Sequence, residues 1–248
     1  MMKTLSHSLR ILALWPVGMA ALCLSTGCTT LTMNGKRVPT AEYVPVNHAG
    51  DAILPAGLHR VVLLPISGGT IATAESTAML DLVAVAALQE QDRFEVVPIT
   101  REECSLHFHQ DDVSSVSALP SNFMATLRRE YNADAVIFVD VTVYNAYEPI
   151  EIGLRAKLAT TDDARLVWMF DNVFSTGNPS VASSATRYLQ HREQGGLPSE
   201  LDQVALESPT RFATYVTAAM FATLPPLKGA GVPSEGHKRT SRDAAMKR

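Results

Sequence analysis

The chain has 248 residues, 46% of them apolar, and its 21 Lys and Arg against 25 Asp and Glu give a net charge of −4. That length suits one generous domain or two small ones. The charge balance excludes the global basic field that holds nucleic acid, so no nucleic-acid partner is expected.

The amino terminus carries Lys3 and Arg10 and no acid before Ile11, and Ile11 to Leu24 is nearly all apolar, broken by Pro16 and Gly18. This run falls short of the about 20 residues of a helical membrane span and fits a signal-peptide core of about 7–15. It ends in "LSTGCTT", residues 24–30. Small residues let a chain enter a peptidase cleft, and a cysteine just after the cut offers a thiol for acylation. The stretch resembles a bacterial lipobox, with Gly27 before the cut and Cys28 as the first mature residue, and with Ser25 where such boxes usually hold Leu. The resemblance implies a diacylglyceryl thioether on Cys28, often with an acylated amine such as a palmitoyl amide. Two or three chains anchor stably where one is marginal. Thr29 stands where Asp signals inner-membrane retention, which implies the outer membrane. The alternative is an ordinary secretory signal containing an incidental cysteine. Cys23 follows bulky Leu22 and suits acylation less well.

Residues 29–57, with Pro39, Pro45 and Pro55 and no clean period, read as a tether, with Asn34-Gly35 as a local turn. "HRVVLLPIS", 59–67, predicts a strand buried on both faces, ended by Gly68-Gly69. Thr73 to Gln91 predicts an amphipathic helix on Leu80, Val83 and Ala87. "RFEVVPI", 93–99, predicts a second strand. Thr100 and Glu103 form a capping-box pattern before a short helix reaching about Phe108. After a polar loop, Ser121 is expected to cap a helix whose Phe123, Leu127 and Tyr131 share a face, with Asn132 as its left-handed stop.

"ADAVIFVDVTVY", 133–144, is the strongest strand pattern. "IEIGLRAKLAT", 150–160, alternates apolar residues with Glu151, Arg155 and Lys157, which predicts one wet face. Thr161-Asp162-Asp163 turns the chain into "ARLVWMFDNVF", 164–174, making a hairpin. Asn178-Pro179 and Ser208-Pro209 each start a helix. The first has Val181, Ala185 and Leu189 on one face and stops at Gly195-Gly196; the second carries Phe212, Val216, Met220 and Leu224. The remainder has six Lys or Arg, two acids and almost nothing apolar, and reads as a disordered basic tail.

The expected order is β-α-β-α-α-β-β-β-α-α: one α/β domain, with helices packed on a mixed sheet. Its boundaries are a signal peptide at 1–27, a lipid-anchored tether at 28–57, a periplasmic domain at 58–225 and the tail at 226–248. Only three stretches reach the about 9–11 residues of a barrel-spanning strand, and the core sheet needs all three. With Cys23 removed and Cys28 acylated, Cys104 stands alone. No internal disulfide is available, and Cys104 reads as a small buried hydrophobe.

Three places could carry chemistry. "ECSLHFHQDD", 103–112, gathers metal-ligand types. On a helix Glu103 and Cys104 approach His107; on a strand His107 and His109 share a face. Neither completes the three or four ligands of a site, so these four residues are weak metal candidates and solvated polar residues are the plainer reading. "PISGGT", 65–70, lies between strand and helix as phosphate loops do, but lacks the fingerprint glycines and the Gly-Lys-Ser/Thr of a P-loop. Asp140 is an acid in an apolar strand, and a buried acid needs a partner, which Arg155 or Lys157 could supply as an ion pair. Trp168 and Phe170 share a strand face. If helices cover only one face of the sheet fully, some of that surface would serve a partner.

"RVVLLPI", "FEVVP", "LRREYNADAVIFVDVTVYNAYEPIEIGLRAKL" and "RLVWMFD" together resemble the periplasmic domains of outer-membrane lipoproteins. These are the curli-secretion channel lipoproteins, the ring-forming exopolysaccharide-export lipoproteins and the lipoprotein activators of peptidoglycan synthases. The amino-terminal domain of the Tol-system propeller protein has a similar order. The likeness spans roughly residues 59–224 and brings no catalytic motif, and the membrane hairpins of the curli-type channel have no counterpart here. It implies a non-enzymatic accessory of secretion, export or cell-wall assembly, without cofactor. The lipid would hold it to the membrane, and its partners would be copies of itself or another envelope protein. The competing reading is a periplasmic enzyme or metal-binding protein using residues 103–112.

Overall fold

A computed structural model describes residues 42–192 and 206–227. The signal peptide, Cys28, the first part of the tether, the Gly195-Gly196 stop and all but the first two residues of the basic tail lie outside the described residues.

Six strands form one mixed sheet: β1 (His48–Gly50), β2 (Arg60–Leu63), β3 (Glu95–Pro98), β4 (Ala135–Asn145), β5 (Glu151–Thr160) and β6 (Leu166–Ser175). Their spatial order is β1-β6-β5-β4-β2-β3. β2 runs parallel to both β3 and β4, and β4-β5-β6 is an antiparallel meander whose outer edge receives β1. Among the described residues, five helices accompany the sheet: α1 (Ala74–Gln89), α2 (Arg101–Phe108), α3 (Phe123–Tyr131), α4 (Pro179–Arg192) and α5 (Pro209–Ala222). This is the α/β architecture expected, an open sheet and not a barrel.

The alternation of the long strands divides the core into two. Ile137 and Val139 of β4, Leu154, Ala156 and Leu158 of β5, and Trp168, Phe170 and Phe174 of β6 pack against α1, α4 and α5. From the helices come Leu80, Ala84 and Leu88, then Val181 and Ala185, then Phe212, Val216 and Met220. The opposite face carries Val62, Leu64, Val136 and Phe138 under Cys104 and Phe108 of α2 and Phe123 and Leu127 of α3. Strands clothed on both faces lose the clean alternation of a half-wet strand, which is why β2 and β4 read as continuous apolar runs.

The local signals act as their chemistry dictates. Thr100 Oγ1 accepts the Glu103 N–H at 3.1 Å and Glu103 accepts the Thr100 N–H at 2.9 Å, closing the capping box. Asn132 ends α3 at φ 50. The expected Ser121 cap is corrected: Asn122 holds the position before α3 at φ 60 and makes no side-chain capping bond. Gly153 is required by close approach, because a Cβ there would meet Thr142 Oγ1 at 2.5 Å beside the bulge between Val141 and Val143.

The largest departure is in the tether. Residues 42–57 belong to the domain. β1 pairs with Trp168–Phe170, the Tyr43 N–H donates to Ser184 Oγ at 2.8 Å, and the Asp51 N–H donates to Val167 O at 2.9 Å. Leu54 is 1% exposed and its N–H donates to Pro226 O at 2.9 Å. A three-residue strand with no buried residue leaves no periodic mark, so the segment reads as loop in the sequence.

Candidate functional site

The 103–112 segment does not converge. Glu103 is committed to the capping box. Cys104 is buried, and burial pushes its thiol up to about 11, which favours the neutral thiol near neutrality. His107 packs edge-on to Tyr131 with ring centroids 5.7 Å apart, and His109 is the left-handed cap of α2 at φ 60. Asp112 turns away to Arg101 at 3.4 Å. Among the described residues no three His, Cys, Asp or Glu side chains are grouped to hold a metal ion.

Asp140 is 6% exposed, and its partner is not the expected one. Its carboxylate accepts the Ser115 N–H at 3.0 and 3.3 Å. Lys157 Nζ donates to Ser115 O at 2.8 Å. The two charges therefore grip one loop residue from both sides instead of meeting in an ion pair. Arg155 lies opposite Asp140 in the register but donates to Asp171 at 2.8 Å. Backbone amides satisfy a buried carboxylate as well as a cation does, and a sequence does not show which loop will pass over the strand. This arrangement holds the loop between α2 and α3 on the sheet.

The "PISGGT" segment leaves β2 toward α1 on one face, while the chain after β3 leaves toward α2 on the other. Adjacent parallel strands that diverge in this way open a crevice at their carboxyl ends, the usual ligand place of α/β sheets. Here a cleft of about 550 Å³ lies there, and the protein's own ions brace its polar end. Arg101 donates to Asp81 at 2.8 Å and to Ile66 O at 2.9 Å, and the Ile66 N–H donates to Asp81 at 2.7 Å. Burial raises the Asp81 carboxyl, opposed by the Ile66 N–H and the Arg101 guanidinium. Gly68 serves packing, since a Cβ there would meet Thr77 Cγ2 at 2.5 Å. The loop is thus a tight strand-to-helix connection with no phosphate cradle.

A larger cleft, about 780 Å³, lies between residues 42–48, the end of α1, α4 and α5. Tyr43, Tyr188 and Tyr215 line it, with Ala218, Ala219 and Ala222 of α5 as small neighbours. Tyr215 is 4% exposed; its hydroxyl has no well-formed hydrogen bond, and burial pushes it up to about 12, opposed in part by the Ser184 hydroxyl beside it. Sequence reading did not find this place, because its walls come from four separated segments and one of them was read as tether.

On the other side of the sheet, α2 and α3 cover β2 and the start of β4. Farther along, Leu166, Met169 and Val173 of β6 are 38%, 43% and 46% exposed beside the Arg155–Asp171 pair. Among the described residues no helix is long and apolar enough to cross a membrane.

No family model matches the chain, and no curated protein matches it. Among solved structures it is similar to the PelC dodecamer from Paraburkholderia phytofirmans, at 15% identity and a TM-score of 0.40, over 72% of this chain and 94% of that one. It is also similar to lipoprotein GNA1162 from Neisseria meningitidis, at 16% identity and a TM-score of 0.37, over 58% and 100%. The functional reading therefore rests on the chain's own residues.

Proposed function

We propose that the protein is a non-enzymatic, lipid-anchored component of the bacterial outer membrane, with its α/β domain in the periplasm and an accessory part in secretion, export or cell-wall assembly. The observation that carries this reading is the short apolar core closed by Ser25-Thr26-Gly27-Cys28. Three placements support the absence of catalysis: Cys104 is a buried thiol, Asp140 is spent on the Ser115 backbone, and Arg101 and Asp81 brace each other.

The fold sets the reach of such an anchor. The described domain already includes Tyr43, whose N–H is bound to α4, so a tether from Cys28 would end by residue 42 and not at residue 57. A connection from Cys28 to residue 42 spans at most about 50 Å fully extended, and about 20 Å as a flexible coil. Against a tether running to residue 57, that about halves the extended reach and shortens the coil span by about a third. The exposed Leu166, Met169 and Val173 of β6, beside the Arg155–Asp171 pair, support contact between copies.

The test is to feed cells an alkyne-bearing palmitate analogue and fractionate their envelopes. The proposal expects label on the wild-type protein in the outer-membrane fraction, and neither label nor membrane retention for Cys28→Ala. Equal retention of both proteins without label would overturn it.

A further inference from the structure

The chain leaves the domain at one particular end of the sheet. From His48 back to Tyr43 it follows β6 from Phe170 toward Phe174. His48 pairs with Phe170, Asn47 O accepts the Asp171 N–H at 3.0 Å, Tyr43 Oη accepts from Asn172 at 2.8 Å, and the Tyr43 ring meets Phe174 at 5.6 Å. The tip of the β4–β5 hairpin stands at the same end, because Asn145 pairs with Glu151 and Glu151 with Ser175.

That end carries apolar side chains on its outside. Among the described residues the two most exposed large apolar residues, Val46 at 85% and Tyr147 at 81%, both stand there, and Val44 at 64% lies two positions from Val46. Asn145 stiffens the tip: its Oδ1 accepts the Tyr147 N–H at 3.2 Å and its Nδ2 donates to Pro149 O at 2.9 Å. A braced turn thus presents Tyr147, and a contact made there orders little chain. Single exposed apolar residues are ordinary on a protein surface. What sets these apart is where the chain goes next, since residue 42 leads back to Cys28 over about 20 Å as a flexible coil. A tether that short gives this end a high effective concentration at the surface holding Cys28, so weak contacts suffice to seat it.

Charge narrows the kind of surface. Glu42, Glu148 and Glu151 stand at this end, and Arg155 is already bound to Asp171. Among the described residues there is no polybasic cluster here to attract anionic headgroups. Valine and tyrosine suit a zwitterionic layer, in which a tyrosine turns its ring toward the acyl chains and its hydroxyl toward water.

We propose that this end of the domain seats on the bilayer, with Val44, Val46 and Tyr147 in the headgroup layer of a zwitterionic lipid surface. The proposal rests on the lipid-anchor reading and adds an orientation to it, with the strands end-on and the β5–β6 turn pointing away from the membrane.

The test uses the mature full chain, its acyl groups verified by intact mass, reconstituted in phosphatidylcholine vesicles with and without bromine near the top of the acyl chains. Tyr147→Trp and Val46→Trp each place an indole at the seated end. Arg128→Trp places one on α3 beside Thr161 and Asp162, at the opposite end. Trp168 is buried and Trp15 precedes Cys28, so each introduced indole reports alone. Bromolipid is expected to remove about half of the emission at 147 and at 46, the depth at which interfacial aromatic residues sit, and to leave the emission at 128 unchanged. Quenching is expected to weaken in vesicles rich in phosphatidylglycerol. An acylated, vesicle-bound protein quenched no more at 147 and 46 than at 128 would overturn the orientation and leave the anchor standing. Quenching that grows with phosphatidylglycerol and falls with salt would overturn the choice of a zwitterionic surface. An unacylated chain would remove both readings together.

Discussion

Leu54→Ala separates a packed amino-terminal segment from a tether. Leu54 is 1% exposed, bridges Leu227 in parallel, and belongs to the same apolar cluster as α1 and α5. The substitution removes three carbons, about 2.4 kcal/mol of transfer free energy at about 0.8 kcal/mol each. A partly relaxed cavity adds to that, giving about 2.5–4 kcal/mol in all. For a domain of this size each kcal/mol moves the thermal midpoint by about 2–4 °C, so a drop of roughly 5–15 °C is expected. Near-UV circular dichroism on heating would follow it through Trp168, which is buried in the same cluster. Val46→Ala is the control, since Val46 is 85% exposed in the same segment and is expected to change stability by less than about 0.5 kcal/mol. A Leu54→Ala midpoint within 1–2 °C of wild type, taken as about 0.5 kcal/mol, would refute the packing of residues 42–57.

Asp140→Ala leaves the Ser115 N–H without its carboxylate and is expected to cost about 1–3 kcal/mol, with faster hydrogen exchange at the Ser115 amide; unchanged exchange would contradict the grip. Asp81→Ala strips both Arg101 and the Ile66 N–H of their acceptor, and because that pair is a quarter exposed the expected loss is about 2 kcal/mol by urea unfolding. Cys104 and Tyr215 both have folded values raised by burial, from 9.0 to about 11 and from 10.0 to about 12. A raised value favours the neutral form in the native state, so their stabilisation is full below about pH 9 and is lost as pH climbs toward 12. Stability measured from pH 8 to 11 is expected to fall, with Cys104→Ala removing the earlier part of the fall. In the native protein at pH 8, Cys104 is expected to react with a thiol reagent at least about two orders of magnitude more slowly than a free cysteine, because burial withholds access as well as the thiolate.

The elements with strong local chemistry were legible in the sequence. Thr100 and Glu103 sit at capping-box spacing, Asn132 suits a left-handed stop, and the β5–β6 hairpin is written in alternation around a polar turn. These signals act within a few residues, and nothing distant overrides them. What the sequence hid depends on contacts across the fold. β1 is a strand only because β6 offers an edge, and none of its three residues is buried. Asp140 is satisfied by a loop twenty-five positions away, and Arg155 by the neighbouring strand, so composition alone left the pairing open. The tyrosine cleft is the extreme case: Tyr43 and Ser184 meet across 141 positions. Residues 103–112 show the reverse, a dense run of ligand types that the helix α2 scatters to a cap, a core and a surface.

The most direct measurement for the central claim is the intact mass of the full-length gene product extracted from envelope membranes. The account predicts a chain that begins at Cys28 and carries two or three acyl chains, and a Cys28→Ala protein without that added mass. A wild-type chain with an unmodified Cys28 would contradict it.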